Sequence, residues 1–503
     1  MIRVLGLSAS LRSARHGRGA ENLPEELESI PDRDALTEYL KHQTHDLLEA
    51  FEEGRKRDLP FDRLYAELKK RKGLRGLSNS EASVAAGLWG AQQEGAEVRY
   101  VDLQRFFPES GRTRHLAELK KAILWADGFL LATPVYFGDR SSLAQAFVEF
   151  LYQDDECLAH VRDKVFGGIA VGAKRNGGQE TTLVYQLIDM INLNMLGVGN
   201  DSASTSQYGG TVVAGDVGTM AKDDYGIATS VDTGRRVAMM SDLLARAERS
   251  DDECQTKVAV WFLQDDASGR GAELVQQFCD ELARRESGVS FEIRNFTDEQ
   301  VHRCIACDIC PIGPGVVDDY RCIVSSERDL FARLHRELVD VDAILLAAYS
   351  PTAKKKLHSV YQRFIERTRY LRRDDYAVGD LLTAPLVFSE INSNQNLHIR
   401  MSTSLIRHHS VLHHPLLGFE LNREIINWDH LLTQGSSFVR NAARLTRARM
   451  QCEDALAARR QYNPLGYVIA AEKKREFDGS SKHEQTREAR AMERNARRRR
   501  KVG

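Results

Sequence analysis

Ala126-Asp127-Gly-Phe-Leu-Leu-Ala-Thr133-Pro134-Val135-Tyr136-Phe137-Gly138 reads as a buried strand that breaks at a proline into a loop carrying two aromatic rings. Its opening residues return later in the chain as Val341-Asp342-Ala-Ile-Leu-Leu-Ala347, and the surroundings return with them. Met1 to Leu7 is a short apolar run that ends in Ser8-Ala-Ser10-Leu-Arg12; Lys257-Val-Ala-Val-Trp-Phe-Leu263 runs into Asp266-Ala-Ser268-Gly-Arg270-Gly271. Phe147-Val-Glu149 is echoed by Phe364-Ile-Glu366. Strands that alternate with amphipathic helices build a mostly parallel sheet, and self-similarity of this long period predicts two α/β domains in tandem. The chain has 503 residues, enough for that number. The expected boundaries are 1–245, 256–455 and a charged tail over 456–503.

Three loops of the first copy have the chemistry of a ligand site. Ser8, Ser10 and Arg12 stand where a first strand opens toward a helix, and turn amides, hydroxyls and a cation together share the charge of a phosphomonoester. An ordinary polar turn is the plainer alternative. The rings of Tyr136 and Phe137 suit the two sides of a flat heteroaromatic group. A strand over Phe166 to Val171 leads into Gly172-Ala-Lys-Arg175-Asn176-Gly177-Gly178-Gln179-Glu180, where small residues let a ligand approach the backbone.

Ser8 to Arg12, Thr133 to Gly138, Arg175 to Glu180 and the stretch Ala214-Gly215-Asp216 resemble the NAD(P)H-dependent FMN reductase and iron-sulfur flavoprotein superfamily, which is flavodoxin-like. The resemblance implies two tandem doubly wound parallel-sheet domains, with FMN phosphate held by Ser8, Ser10 and Arg12. It implies that Thr133, Pro134, Val135, Tyr136, Phe137 and Gly138, with the loop from Gly172, border the isoalloxazine, Tyr136 and Arg175 being ring-side contacts. The family follows its phosphate loop at once with a helix. Here a charged, helix-rich insertion occupies about 17–75, and Ser78-Asn79-Ser80 resumes the pattern, completing the phosphate site from beyond it. The insertion reads as a solvated helical arm packed on the domain or on a second subunit, with a lid over the flavin as an intermediate reading and a separate catalytic unit as the sharper one.

The second copy differs at the corresponding loops. Tyr349-Ser350-Pro351-Thr352 and Lys354-Lys-Lys356 replace Thr133 to Gly138, and Ser389 to Asn396 replaces the Arg175 loop. It carries instead Cys304-Ile-Ala-Cys307-Asp-Ile-Cys310 and then Cys322, half of the chain's eight cysteines. Thiolates two residues apart converge on one metal centre, so the run reads as a four-iron four-sulfur cluster, as zinc, or as plain buried or redox thiols. The resemblance favours the cluster, since iron-sulfur flavoproteins have a compact cysteine motif at this place. It also implies an electron path from reduced nicotinamide through FMN to the cluster and on to a small-molecule or protein acceptor. A tandem fusion would make internally the pair that relatives form as homo-oligomers.

Composition narrows the classes. A net charge of -2 with mixed signs indicates no general affinity for nucleic acid, except weakly through the tail ending in Arg497 to Arg500 and Lys501. No apolar run suits a membrane span or signal peptide, and unpaired clustered cysteines fit a reducing cytoplasm. The scattered Cys157, Cys254, Cys279 and Cys452 read as structural, and His408, His409, His413 and His414 as a helix end and turn, with metal ligation the sharper alternative. The sequence thus predicts a cytoplasmic FMN-dependent NAD(P)H oxidoreductase; a nonenzymatic redox sensor or assembly protein is the rival from another class.

Overall fold

The computed structural model describes residues 1–11, 22–60, 62–63, 66, 76–205, 207–215, 218–247, 254–307, 322–324, 326–372, 376–393 and 396–460. Its first half contains β1 (Arg3–Ser8), α1 (Leu23–Glu28), α2 (Arg33–Lys56), α3 (Asn79–Gln93), β2 (Glu97–Asp102), α4 (Leu116–Trp125), β3 (Gly128–Pro134), α5 (Ser142–Gln153) and α6 (Asp155–Val161). It continues through β4 (Val165–Gly172), α7 (Gln179–Asn192), β5 (Leu196–Val198), β6 (Gly210–Val213) and α8 (Asp224–Ala247). The second half begins with β7 (Thr256–Phe262), β8 (Gln264–Asp265), α9 (Arg270–Arg285), β9 (Val289–Asn295), α10 (Leu330–Val339) and β10 (Ala343–Ser350). There follow β11 (His358–Ser359), α11 (Tyr361–Arg367), α12 (Arg369–Arg372), β12 (Leu382–Glu390), α13 (Leu397–Ile406), β13 (Val411–Leu412), β14 (Leu416–Leu421), β15 (Glu424–Ile425), α14 (Trp428–Met450) and α15 (Glu453–Arg459).

Within the first half the strands run β2-β1-β3-β4-β5, all parallel, and β6 takes over from β5 along the upper part of β4. The second half runs β9-β7-β10-β12-β13, with β14 taking over from β13 in the same way. Counted within each half, both orders are 2-1-3-4-5, the flavodoxin-like order.

The correspondence extends to single hydrogen bonds. The Arg3 amide donates to Asp127 Oδ2 (3.1 Å) and the Asp127 amide to the Arg3 carbonyl (2.8 Å). Lys257 and Asp342 repeat both bonds at 2.9 and 3.0 Å. Ala9 to Ala132 recurs as Leu263 to Ala347, and Leu196 to Lys164 as Val411 to Leu381.

The halves are not separate bodies. β5 pairs antiparallel with β13 through Gly197 and Leu412, which joins them into one 13-stranded sheet. One apolar cluster covers one face from Val4 and Leu88 to Val260 and Leu432, and another covers the opposite face from Leu7 and Phe147 to Leu346 and Met401. Polar bonds cross the seam in matching pairs: Asn441 of α14 donates to Asp163 (2.7 Å), and Arg236 of α8 donates to Asp380. His409 lies between Asp201 (3.2 Å) and Asp380 (3.3 Å).

α3 is buried along nearly its whole length, which explains its run of small residues. A Cβ on Gly90 would stand 2.2 Å from the Val231 carbonyl of α8, and one on Gly234 only 1.7 Å from that of Gly87. The helical insertion lies against this helix. Trp89 donates to the Ile30 carbonyl (3.0 Å) and Gln92 to that of Pro24 (2.9 Å), while Leu23, Leu27, Leu36 and Leu40 are buried. Among the described residues, no helix is long and apolar enough to cross a membrane.

Candidate functional site

In a 2-1-3-4-5 sheet the chain turns to opposite faces between the first and third strands, opening a crevice at their C-terminal ends. Here that crevice lies where β1 ends at Ser8 and β3 at Pro134. α3 returns antiparallel to β1, so its N-terminus faces the same rim with the positive end of its dipole. Ser78 caps it: Ser78 Oγ accepts from the Glu81 amide (3.3 Å), and Glu81 Oε2 accepts from the Ser78 amide (2.8 Å). Glu81 Oε1 also accepts from the Tyr100 hydroxyl (2.9 Å), and burial first, then the Glu81 charge, holds that phenol well above its usual range.

Ser8, Ser10, Ser78 and Ser80 are all buried at this end of the sheet. Ser8 Oγ makes no well-formed hydrogen bond among the described residues, although it lies close enough to Tyr100 to influence its hydroxyl. Asn79 Oδ1 accepts from the Met220 amide (3.1 Å), linking the helix start to the connection after β6. Arg12 lies outside the described residues, as do Asp216 and Cys310.

The β3 loop is a tight hairpin. Tyr136 and Asp139 exchange both backbone bonds (2.8 and 2.9 Å), and Phe137 and Gly138 at the corner have φ of 53° and 81°. Positive φ at both corner residues is the primed turn that suits a two-residue hairpin, and it leaves Phe137 fully exposed and Tyr136 more than half exposed. Beneath it, Thr133 is buried. The Ser141 amide donates to Thr133 Oγ1 (2.9 Å) and Ser141 Oγ donates to the Ala9 carbonyl (2.7 Å), fixing the β1 and β3 loops to each other.

The loop from Gly172 reaches the same rim. Gln179, buried at the start of α7, donates to the carbonyls of Lys174 (2.7 Å) and Val212 (3.1 Å) and accepts from the Gly177 amide (2.8 Å). Gly178 has φ 103°, and a Cβ there would meet the Gly138 Cα at 2.8 Å, so the two loops touch through glycines. Val135 lies beside them, its amide donating to the Val171 carbonyl (3.0 Å). Asn176 and Glu180 are exposed. Arg175 donates to the Thr211 carbonyl (3.0 Å) and Asp223 (2.5 Å) and stacks over Tyr225, so it tethers the loop to the domain.

The described expected residues therefore gather on the rim formed by β1, β3, β4 and the start of α3. Ser141, Asp223 and Met220 were not anticipated; of these only Ser141 has a sequence signal, a serine just before the apolar run of α5.

The cysteine segment lies elsewhere, between β9 and α10. Both ends of this connection are held by one buried pair: Arg367 donates to Asp329 (2.9 Å) and to the carbonyls of His302 and Val324 (both 3.0 Å). Cys304, Cys307 and Cys322 are half-buried free thiols, and the Cys304 amide donates to Glu366 Oε1 (2.9 Å). Among the described residues no three metal-binding side chains are grouped.

Because β13 runs against β5, strands of the second half end at the rim opposite to that of the first. β3 and β10 are also separated by five strand spacings in the sheet order, about 24 Å at ~4.8 Å each. Among the described residues, the first-half loops and Cys304, Cys307 and Cys322 therefore belong to separate parts of the sheet.

Cys157, Cys279, His408 and His413 are buried. Burial pushes the Cys157 thiol up to about 12, and that of Cys279 higher still. Burial lowers His408 to about 3 and His413 and His414 to about 4; they bond to Thr368, Ser437 and the Ile191 carbonyl.

Strand order and rim together define a flavodoxin-like α/β domain. Residues 73–209 match the NADPH-dependent FMN reductase family. An iron-sulfur flavoprotein of Methanocaldococcus jannaschii is 37% identical over 132 residues, 26% of this chain and 66% of the relative. A second from the same organism is 30% identical over 110 residues, 18% of this chain and 54% of the relative. The chain thus spans about half to just under two thirds of the curated relatives it matches. Among solved structures, a WrbA-like flavodoxin from Agrobacterium tumefaciens aligns at 21% identity over 32% of this chain and 87% of that one, with a TM-score of 0.25.

Proposed function

We propose that this chain is an FMN-dependent NAD(P)H oxidoreductase that hands electrons to a small-molecule or protein acceptor. The observation that carries the reading is the first-half rim, where buried serines, a capped helix start and two glycine-bearing loops converge, all but Ser8 and Ser10 of them inside the segment matching the FMN reductase family. These residues fit FMN. Ser8 offers a buried hydroxyl short of partners, α3 a positive helix end, and Gly138 and Gly178 a backbone surface without side chains.

Ser8, Ser10, Arg12, Ser78, Asn79 and Ser80 hold the phosphate in this reading. Pro134 to Gly138 and Gly172 to Gly178 border the ring, with Gln179 and Arg175 keeping the second loop in place. FMN, when bound, supplies hydride acceptance from nicotinamide and the conversion to one-electron chemistry. The protein supplies position and a rim from which neither Tyr136 nor Phe137 is shut off by neighbouring residues.

Anaerobic NAD(P)H should bleach the bound flavin of purified protein. Arg12→Ala should weaken FMN retention by about 1.5 to 3 kcal/mol, the worth of a charge-assisted phosphate contact. Undiminished FMN affinity in that variant would remove the phosphate assignment.

A four-iron four-sulfur cluster at Cys304, Cys307, Cys310 and Cys322 is the second part of the proposal, supported by cysteine spacing and by the names of the two relatives. Iron and sulfide analysis of anaerobically prepared protein tests it; zinc without sulfide means a structural metal, and neither means thiols alone. Given the separation across the sheet, such a centre exchanges electrons with an external carrier or another copy of the chain.

A further inference from the structure

The hydrogen bonds that repeat between the halves fix which residue of β7 answers to which residue of β1. Arg3 corresponds to Lys257 and Ala9 to Leu263, so Ser8 corresponds to Phe262, Ser10 to Gln264, Leu11 to Asp265 and Arg12 to Asp266. The two hydroxyls of the first-half loop are thus an aromatic ring and an amide in the second, and its cation is an anion.

Asp265 does more than fail to bind phosphate. It is buried, and its carboxylate accepts from the amides of Asp266 (2.8 Å), Gly271 (2.9 Å) and Ala272 (3.1 Å), two of them in the first turn of α9. These are donors of the kind that a phosphate takes at a helix N-terminus. Asp266 Oδ1 accepts from the Ser268 amide (3.0 Å) and hydroxyl (2.7 Å). The space above is filled as well: a Cβ on Gly271 would lie 2.3 Å from the Tyr349 Cβ and 2.7 Å from the Phe262 ring. Tyr349 donates to Glu420 (2.5 Å) and Glu390 (3.1 Å), Glu390 accepts from the Thr352 amide (2.6 Å), and Arg270 is taken by Glu420 (2.9 Å). The loops that would border a flavin ring are bonded to one another.

We infer that Asp265 is a built-in anion that occupies the phosphate position of the second half, so that each chain holds a single flavin, in the first half. This rests on the FMN reading above and adds its stoichiometry and the residue that sets it. Neighbouring Asp266, Glu390 and Glu420 reinforce the exclusion, because a phosphate entering there meets several carboxylates, and Arg270 beside them is already paired.

The test is a titration of full-length protein with FMN, in parallel with phosphate-free riboflavin, followed by gel filtration and a count of flavin per chain. The expected count is one. Two would overturn the proposal; none would uphold the closed second half while removing the FMN reading itself. Leu11→Asp places the second half's anion at the corresponding exposed position of the first. It should weaken FMN at least tenfold while changing riboflavin affinity less than twofold, which separates phosphate exclusion from misfolding. Undiminished binding of one FMN in that variant would put the flavin in the second half and overturn the proposal.

Discussion

Asp232 on α8 is buried beside Asp201, and burial followed by that neighbouring charge pushes its carboxyl up to about 6. Ser204, Arg235 at 3.7 Å and Arg33 oppose the rise without cancelling it. An unfolded aspartate titrates near ~3.9, so ionised Asp232 costs stability. The penalty is absent below about pH 4, grows as pH rises toward 6, and is complete above that, at a size on the order of 3 kcal/mol. Asp232→Asn should therefore stabilise the protein by about 1 to 3 kcal/mol at pH 8 and leave it unchanged at pH 4, as read by urea unfolding. An equal gain at both pH values would contradict this. Asp201 has the opposite sign: burial alone would raise it, but His409, Arg236 and Arg235 outweigh burial and hold it at about 2. Its contribution is present above about pH 4 and is lost as pH falls through about 2. Neither role could be read from the sequence, since two aspartates thirty-one residues apart carry no sign that folding buries them together.

The loops at 133–138 and 172–180 show what local sequence does announce. Glycines, a proline and paired aromatics marked the 133–138 and 172–180 segments because their chemistry is local: primed turns need positive φ and close approach needs a missing side chain. What holds them was hidden, because Ser141 and Asp223 act across the fold on Ala9 and Arg175. Gly178→Ala imposes two costs, a φ of 103° and a contact of 2.8 Å with Gly138. We expect it to lose about 1 to 3 kcal/mol of stability and to weaken FMN binding by displacing the hairpin. Gly95→Ala is the comparison: φ is 78° but nothing lies within 4 Å, so it should cost only about 1 kcal/mol and leave FMN affinity alone. Thermal melts and FMN titration of both variants check this, and equal FMN affinities would mean that the two loops do not depend on their contact.

Strand repetition across the chain was visible because β1, β3, β7 and β10 are long apolar runs. The union of the repeats into one sheet was not, since β5 and β13 have only three and two residues, and the bonds that cross the seam come from isolated polar positions. Arg236→Met tests that seam. It leaves Asp380 and His409 buried with one cation fewer, which should cost about 3 to 5 kcal/mol. Because both apolar clusters run through both halves, parent and variant should each unfold in one transition in urea; two separate transitions would show halves that stand alone.

The seam also bears on how the polypeptide is made. Its backbone pairing is a single residue pair, Gly197 with Leu412, and the first-half strand that carries it is three residues long. During synthesis residues 1–247 emerge well before β13 exists, so this flank waits without its partner. A strand so short is a poor template for another nascent chain on the same messenger, whereas a long unpaired one would invite polysome-bound copies to stick together. The narrowness of the join is thus a safeguard during translation, and the cohesion that backbone pairing does not provide comes afterwards from α8, α14 and the buried charges between them.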